Sequence, residues 1–99
     1  MASLYKIHSD GSREYKEAGK RIEAIAWNEN GTFKEVVNRQ IPVVNCSLLI
    51  GSITARTYSE NDYWLTTVVT EILEESKNSE GDITSIRFKT QNSEYIIEY

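Results

Sequence analysis

The chain has one histidine, His8, and one cysteine, Cys46, and these bound the catalytic chemistry open to it. A nucleophilic triad would have to recruit His8, yet the residue closes the first predicted strand with no nucleophile motif beside it. A surface or strand-end role is expected instead. Cys46 sits between Asn45 and Ser47 at the head of an apolar run, which predicts a buried structural thiol rather than a reactive one. One cysteine and one histidine do not make a zinc ligand set.

The densest acidic stretch carries Glu71, Glu74, Glu75, Glu80 and Asp82, without the alternating oxygen ligands and intervening glycine of a calcium loop. Its spacing alone leaves paired-carboxylate glycosidase chemistry open, but so short a chain has little room for a sugar cleft. It reads best as a solvated connection. The glycines fall singly, at turns, and none builds a phosphate-cradling loop. The expectation is a protein that is not an enzyme, with no catalytic residue, no metal and no cofactor.

Two stretches have the composition of a binding surface. Residues 62–71 include Trp64 and Thr66, and residues 88–95 include Phe88, Asn92, Ser93 and Tyr95. Arg56 is a third candidate. Aromatic faces stack a base, hydroxyls and amides read its edge or a ribose, and a guanidinium clamps a phosphate. The structural alternative is equally simple: Trp64 and Tyr95 are core, the threonines are strand residues, and Asn92-Ser93 is a hairpin turn.

The elements that must position these residues are strands. Residues 4–8 alternate in polarity and run into Asp10-Gly11, a strong turn signal. Residues 13–19 are charged and predict a loop or one short helical turn. Residues 21–27 alternate again, Asn30-Gly31 turns the chain, and 33–38 return as a strand with a helix as the alternative. Pro42 ends that segment. Within 43–58 lies the apolar run Ser47-Leu48-Leu49-Ile50-Gly51, and 59–62 are polar turn material. The longest strand signal covers 63–74, followed by a polar connection over 74–82. Residues 83–90 and 93–99 predict a hairpin around Gln91-Asn92. Apolar residues recur at period two, with no stripe at helical period.

These 99 residues predict a single domain, 1–99, that is mainly β: a small, strongly bent antiparallel sheet or partly open barrel with little helix. Sheet edges in a chain this small favour pairing with a second copy, so a homo-oligomer is expected. A net charge of -4 with no basic stripe argues against a nucleic acid duplex as partner. No apolar run is long enough to cross a bilayer, no secretory leader is apparent, and a lone cysteine fits a reducing compartment. A cytoplasmic location follows, with no membrane partner.

The pattern Trp64-x-Thr66-Thr67-x-Val69-x-x-Ile72, followed by Phe88-x-Thr90-x-Asn92-Ser93-x-Tyr95, resembles small proteins of phages and prophages, over residues 46–99. Among these it is similar to the Thoeris anti-defence sponge family, non-catalytic β-rich oligomers that sequester cyclic nucleotide-like immune signals. The resemblance implies that Arg56, Asn92 and Ser93 lie near a ligand's phosphates and ribose, with Trp64 or Phe88 as the stacking face. It also implies action in the cytoplasm of a host. The functional expectation is stoichiometric capture of a small nucleotide at an oligomer interface. The alternatives are a protein-interaction module that inhibits a host or defence enzyme, and a structural accessory domain without a ligand.

Overall fold

The computed structural model describes residues 2–51 and 63–99. Eight strands are present among them: β1 (Ala2–Ile7), β2 (Arg13–Gly19), β3 (Arg21–Trp27), β4 (Phe33–Asn38), β5 (Ser47–Gly51), β6 (Tyr63–Lys77), β7 (Ile83–Thr90) and β8 (Glu94–Glu98). They form one antiparallel sheet in the order β2-β1-β8-β7-β6-β5-β3-β4, and no helix occurs among the described residues. The expected bent antiparallel sheet is therefore present, and it is not closed into a barrel.

Two features fold the sheet over on itself. Strand β6 pairs with β5 from Tyr63 to Val68, then with β7 from Val69 to Lys77, so one strand serves both halves. Register shifts interrupt its ladders on both sides, and such bulges bend a strand and increase its twist. The second feature is the passage from β2 to β3 through Lys20 alone, which takes the chain from one edge of the sheet to its other half. The fold brings β2 against β5 and β6 without any backbone ladder between them.

Between the halves lies the core. Leu4, Ile86, Phe88, Tyr95 and Ile97 come from one half and Ile22, Leu48 and Ile50 from the other, with Val69 at the fold. Burying such side chains contributes about 1.5–3 kcal/mol each, which is the main force holding the open sheet in its folded-over shape.

Three hairpin tips share one plan. In each, the residue before the turn (His8, Asn28 or Asn78) receives a hydrogen bond from a glycine N–H three positions on and donates to the carbonyl one residue further. The glycines, Gly11, Gly31 and Gly81, hold φ between 84° and 87°, the left-handed conformation that a three-residue hairpin loop requires. Asp10 and Asn30 reinforce the first two tips by accepting hydrogen bonds from Ser12 and Thr32.

The structure corrects two expectations about elements. Residues 13–19 form a strand, not a loop or a helical turn. Strand β6 runs to Lys77, so the polar connection shrinks to the tip that follows it. Residues 33–38 form the expected strand rather than a helix.

Candidate functional site

Among the described residues, those singled out from sequence do not converge on one exposed site. Phe88 is fully buried and Tyr95 is 6% exposed; their rings stack on each other with centroids 5.7 Å apart. Both lie at inward-facing, directly paired positions of β7 and β8, so neither presents a face to a ligand. Thr66 is also buried. Its Oγ1 accepts the Leu48 N–H at 2.9 Å and donates to the Thr67 carbonyl at 2.7 Å, joining β5 to β6 where their register slips. These three are core residues, for the reason that period-two alternation turns them inward.

Trp64 is half-buried against the core, opposite Ile50, with the Lys16 ammonium 4.8 Å from its ring centroid. Its Nε1 is buried and has no hydrogen-bond partner among the described residues. Asn92 and Ser93 form the β7–β8 turn, in which Thr90 N–H donates to the Ser93 carbonyl and Ser93 N–H to Thr90 Oγ1. They line a polar cleft of about 550 Å³ with Lys6 and Lys89, but Glu71 and Glu94 flank Lys89 across both of its strand pairings. That local balance does not favour an anion. Arg56 lies outside the described residues.

Cys46 is not activated as a nucleophile. The Cys46 thiol is buried, and desolvation, with Glu35 second, pushes its pKa up, away from the thiolate. His8 Nε2 meets Glu14 Oε1 at 3.0 Å, and Lys16 binds the other oxygen of that carboxylate. Lys16 first and His8 second hold Glu14 below the usual carboxylate range. Among the described residues, no cluster of histidine, cysteine, aspartate or glutamate is placed to hold a metal.

A different place has the chemistry of a ligand site. At one end of the fold, the β2–β3 corner, the segment after β4, the β6–β7 tip and Tyr99 border an open groove of about 620 Å³. Ile22, Ile41 and Ile83 supply its apolar surface, Lys20 and Arg39 its basic side chains, and Asp82 its one acidic side chain. Its size falls within the usual range of small-molecule sites.

Each wall is built from local structure. Gly19 packs against the Gly51 backbone, which fixes where Lys20 emerges. Asn38 Oδ1 accepts the N–H groups of Gln40 and Ile41 at 2.7 and 3.0 Å, a side-chain-capped turn that sets Arg39 at the rim and Ile41 against the core. The Tyr99 hydroxyl donates to the Gln40 carbonyl at 2.5 Å and ties that turn to the end of β8. Asn78 Oδ1 likewise accepts the N–H of Asp82 at 3.0 Å.

The groove lining carries two basic side chains to one acidic one, in a chain of net charge -4. Lys20 makes no ion pair among the described residues. Arg39 touches Glu23 at 3.5 Å through one nitrogen and leaves its side chain 76% exposed, while Arg21 holds the same carboxylate at 2.6 Å. Arg39 is therefore available to a ligand at small cost to Glu23. Sequence reasoning missed all of these groove residues because each comes singly from a different segment. The only local signal was the Asn38 turn ahead of Pro42.

No family model, curated protein or solved structure matches the chain.

Proposed function

We propose that this protein is a non-catalytic binding protein that captures a small nucleotide-type anion in the groove between Lys20, Arg39 and Asp82. The observation that carries this reading is the pairing of two cations with three isoleucines in one groove of ligand size. A guanidinium and an ammonium suit a phosphate, and the isoleucine surface suits the flat apolar face of a base. The buried Cys46 thiol, held away from the thiolate, argues for capture rather than turnover. The groove is formed within one chain, so capture at this place does not depend on a second copy. Sequestration of a cyclic nucleotide immune signal, in the manner of a phage-encoded sponge, is the biological role we attach to it. That role rests on the resemblance of residues 46–99.

The test is a thermal-shift and calorimetric screen against cyclic dinucleotides, cyclic trinucleotides, cyclic ADP-ribose isomers and nucleoside monophosphates. A ligand bound only by the folded state adds about 2.7 kcal/mol of stability at a hundred times its dissociation constant. The double substitution Lys20→Ala/Arg39→Ala should weaken binding at least about tenfold, in line with the loss of charge-assisted hydrogen bonds, and keep the fold. A flat panel, or a double variant that binds as the wild type does, would overturn the assignment.

A further inference from the structure

Asp82 is the one acidic side chain among the groove residues, and its presence in the same lining as two cations has a chemical consequence. The residue belongs to the rigid tip after β6: its N–H donates to Asn78 Oδ1, its carbonyl accepts the Asn78 N–H at 2.9 Å, and Gly81 beside it holds φ at 87°. The carboxylate makes no salt bridge and accepts no side-chain hydrogen bond among the described residues. An ionised carboxylate only accepts hydrogen bonds. Facing a ligand that carries phosphate, it repels the anion unless the ligand also brings donors to meet it.

We infer that Asp82 reads free hydroxyls on the ligand, so that the groove selects a ribonucleotide over its 2′-deoxy counterpart. This inference rests on the groove reading proposed above. Lys20 and Arg39 take the phosphate, the isoleucines take the base, and the sugar between them presents its hydroxyls to Asp82. Ribose hydroxyls are neutral donors, and an acidic side chain is the usual acceptor for them. A site that hydrogen-bonds a hydroxyl discriminates against the analogue without it, because the acceptor is then left desolvated and unpaired. Asp82 is exposed, which limits the effect to the strength of a charge-assisted hydrogen bond, about tenfold in affinity.

The experiment is isothermal titration of wild type, Asp82→Ala and Lys20→Ala/Arg39→Ala with adenosine and guanosine 5′-monophosphates, cyclic di-AMP and cyclic di-GMP. The 2′-deoxy form of each ligand is titrated in parallel. The wild type should bind at least one ribonucleotide about tenfold more tightly than its deoxy form. Asp82→Ala should remove that preference and bind the deoxy ligand more tightly than wild type does, because the repulsion of phosphate is lifted. A residue with a purely structural role would weaken both forms together. Equal wild-type affinities for ribo and deoxy forms, or a preference that survives in Asp82→Ala, would overturn the inference while leaving the groove in place, provided the double variant loses binding. Failure of every ligand to bind wild type would overturn the groove reading and the role of Asp82 with it.

Discussion

Gly19 and Gly51 meet backbone to backbone where β2 ends against β5: a Cβ built on Gly19 would lie 1.8 Å from the Gly51 carbonyl oxygen. No flexible side chain can give way there. The contact stands where the chain passes from one half of the sheet to the other, with the groove residue Lys20 next in sequence. Gly19→Ala should therefore destabilise the protein by about 3 kcal/mol, at the upper end of the usual overpacking range. Urea denaturation measures this, and a variant as stable as wild type would show that the two backbones are not in contact.

Phe88 is a packing residue at the centre of the core. Phe88→Ala should cost about 3–5 kcal/mol, whereas a solvent-facing stacking residue would cost far less. A mild loss of stability coupled to a large loss of nucleotide affinity would return Phe88 to the binding site.

Cys46 should react slowly with a thiol reagent in the native state. Burial keeps the reagent out and raises the thiol pKa, so little thiolate forms at neutral pH. The rate should rise sharply once denaturant unfolds the chain. Equal rates in the two states would show that the segment leading into β5 is open to solvent.

Tyr99 titrates above the ordinary tyrosine value of 10.0, chiefly because partial burial disfavours the phenolate and secondarily because of Glu75. The sign follows: the folded state favours the neutral phenol, so the associated stability is complete below pH 10.0 and declines as pH rises past that value. Tyr99→Phe should remove this alkaline dependence and, by deleting the hydrogen bond to Gln40, cost about 1 kcal/mol at neutral pH. Difference absorbance of ionised tyrosine, compared between wild type and Tyr99→Phe, reports the shift.

Much of the fold was legible because alternating side chains and glycine turns are local signals. Asp10-Gly11 and Asn30-Gly31 marked their hairpins, and the long β-branched run marked β6. Strand β2 was not legible. It is an edge strand at the open side of the sheet, and Arg13, Glu14, Lys16 and Glu17 give it charge on both faces where a strand signal needs an apolar one. Such charges suit an unpaired edge, since they discourage pairing with other chains. The end of β6 was hidden in the same way by Glu74, Glu75 and Lys77. The site was less legible than the fold. Aromatic and hydroxyl residues at alternate positions look alike whether they face a ligand or a core, and Phe88, Tyr95 and Thr66 face the core. Lys20, Arg39, Asp82 and Tyr99 are distant in sequence, and only the folding-over of the sheet gathers them.

The sharing of β6 between both halves also decides how the molecule comes apart. Its ladder to β5 and its ladder to β7 abut at Val68 and Val69, so neither half can release that strand without exposing the other's flank. Among the described residues the two halves are joined by Lys20 and by the shared strand itself, and they should melt as one cooperative unit. Amides at the middle of β6 should then exchange with solvent only through global unfolding, and cleavage of the chain between Val68 and Val69 should yield fragments that fold only in each other's company.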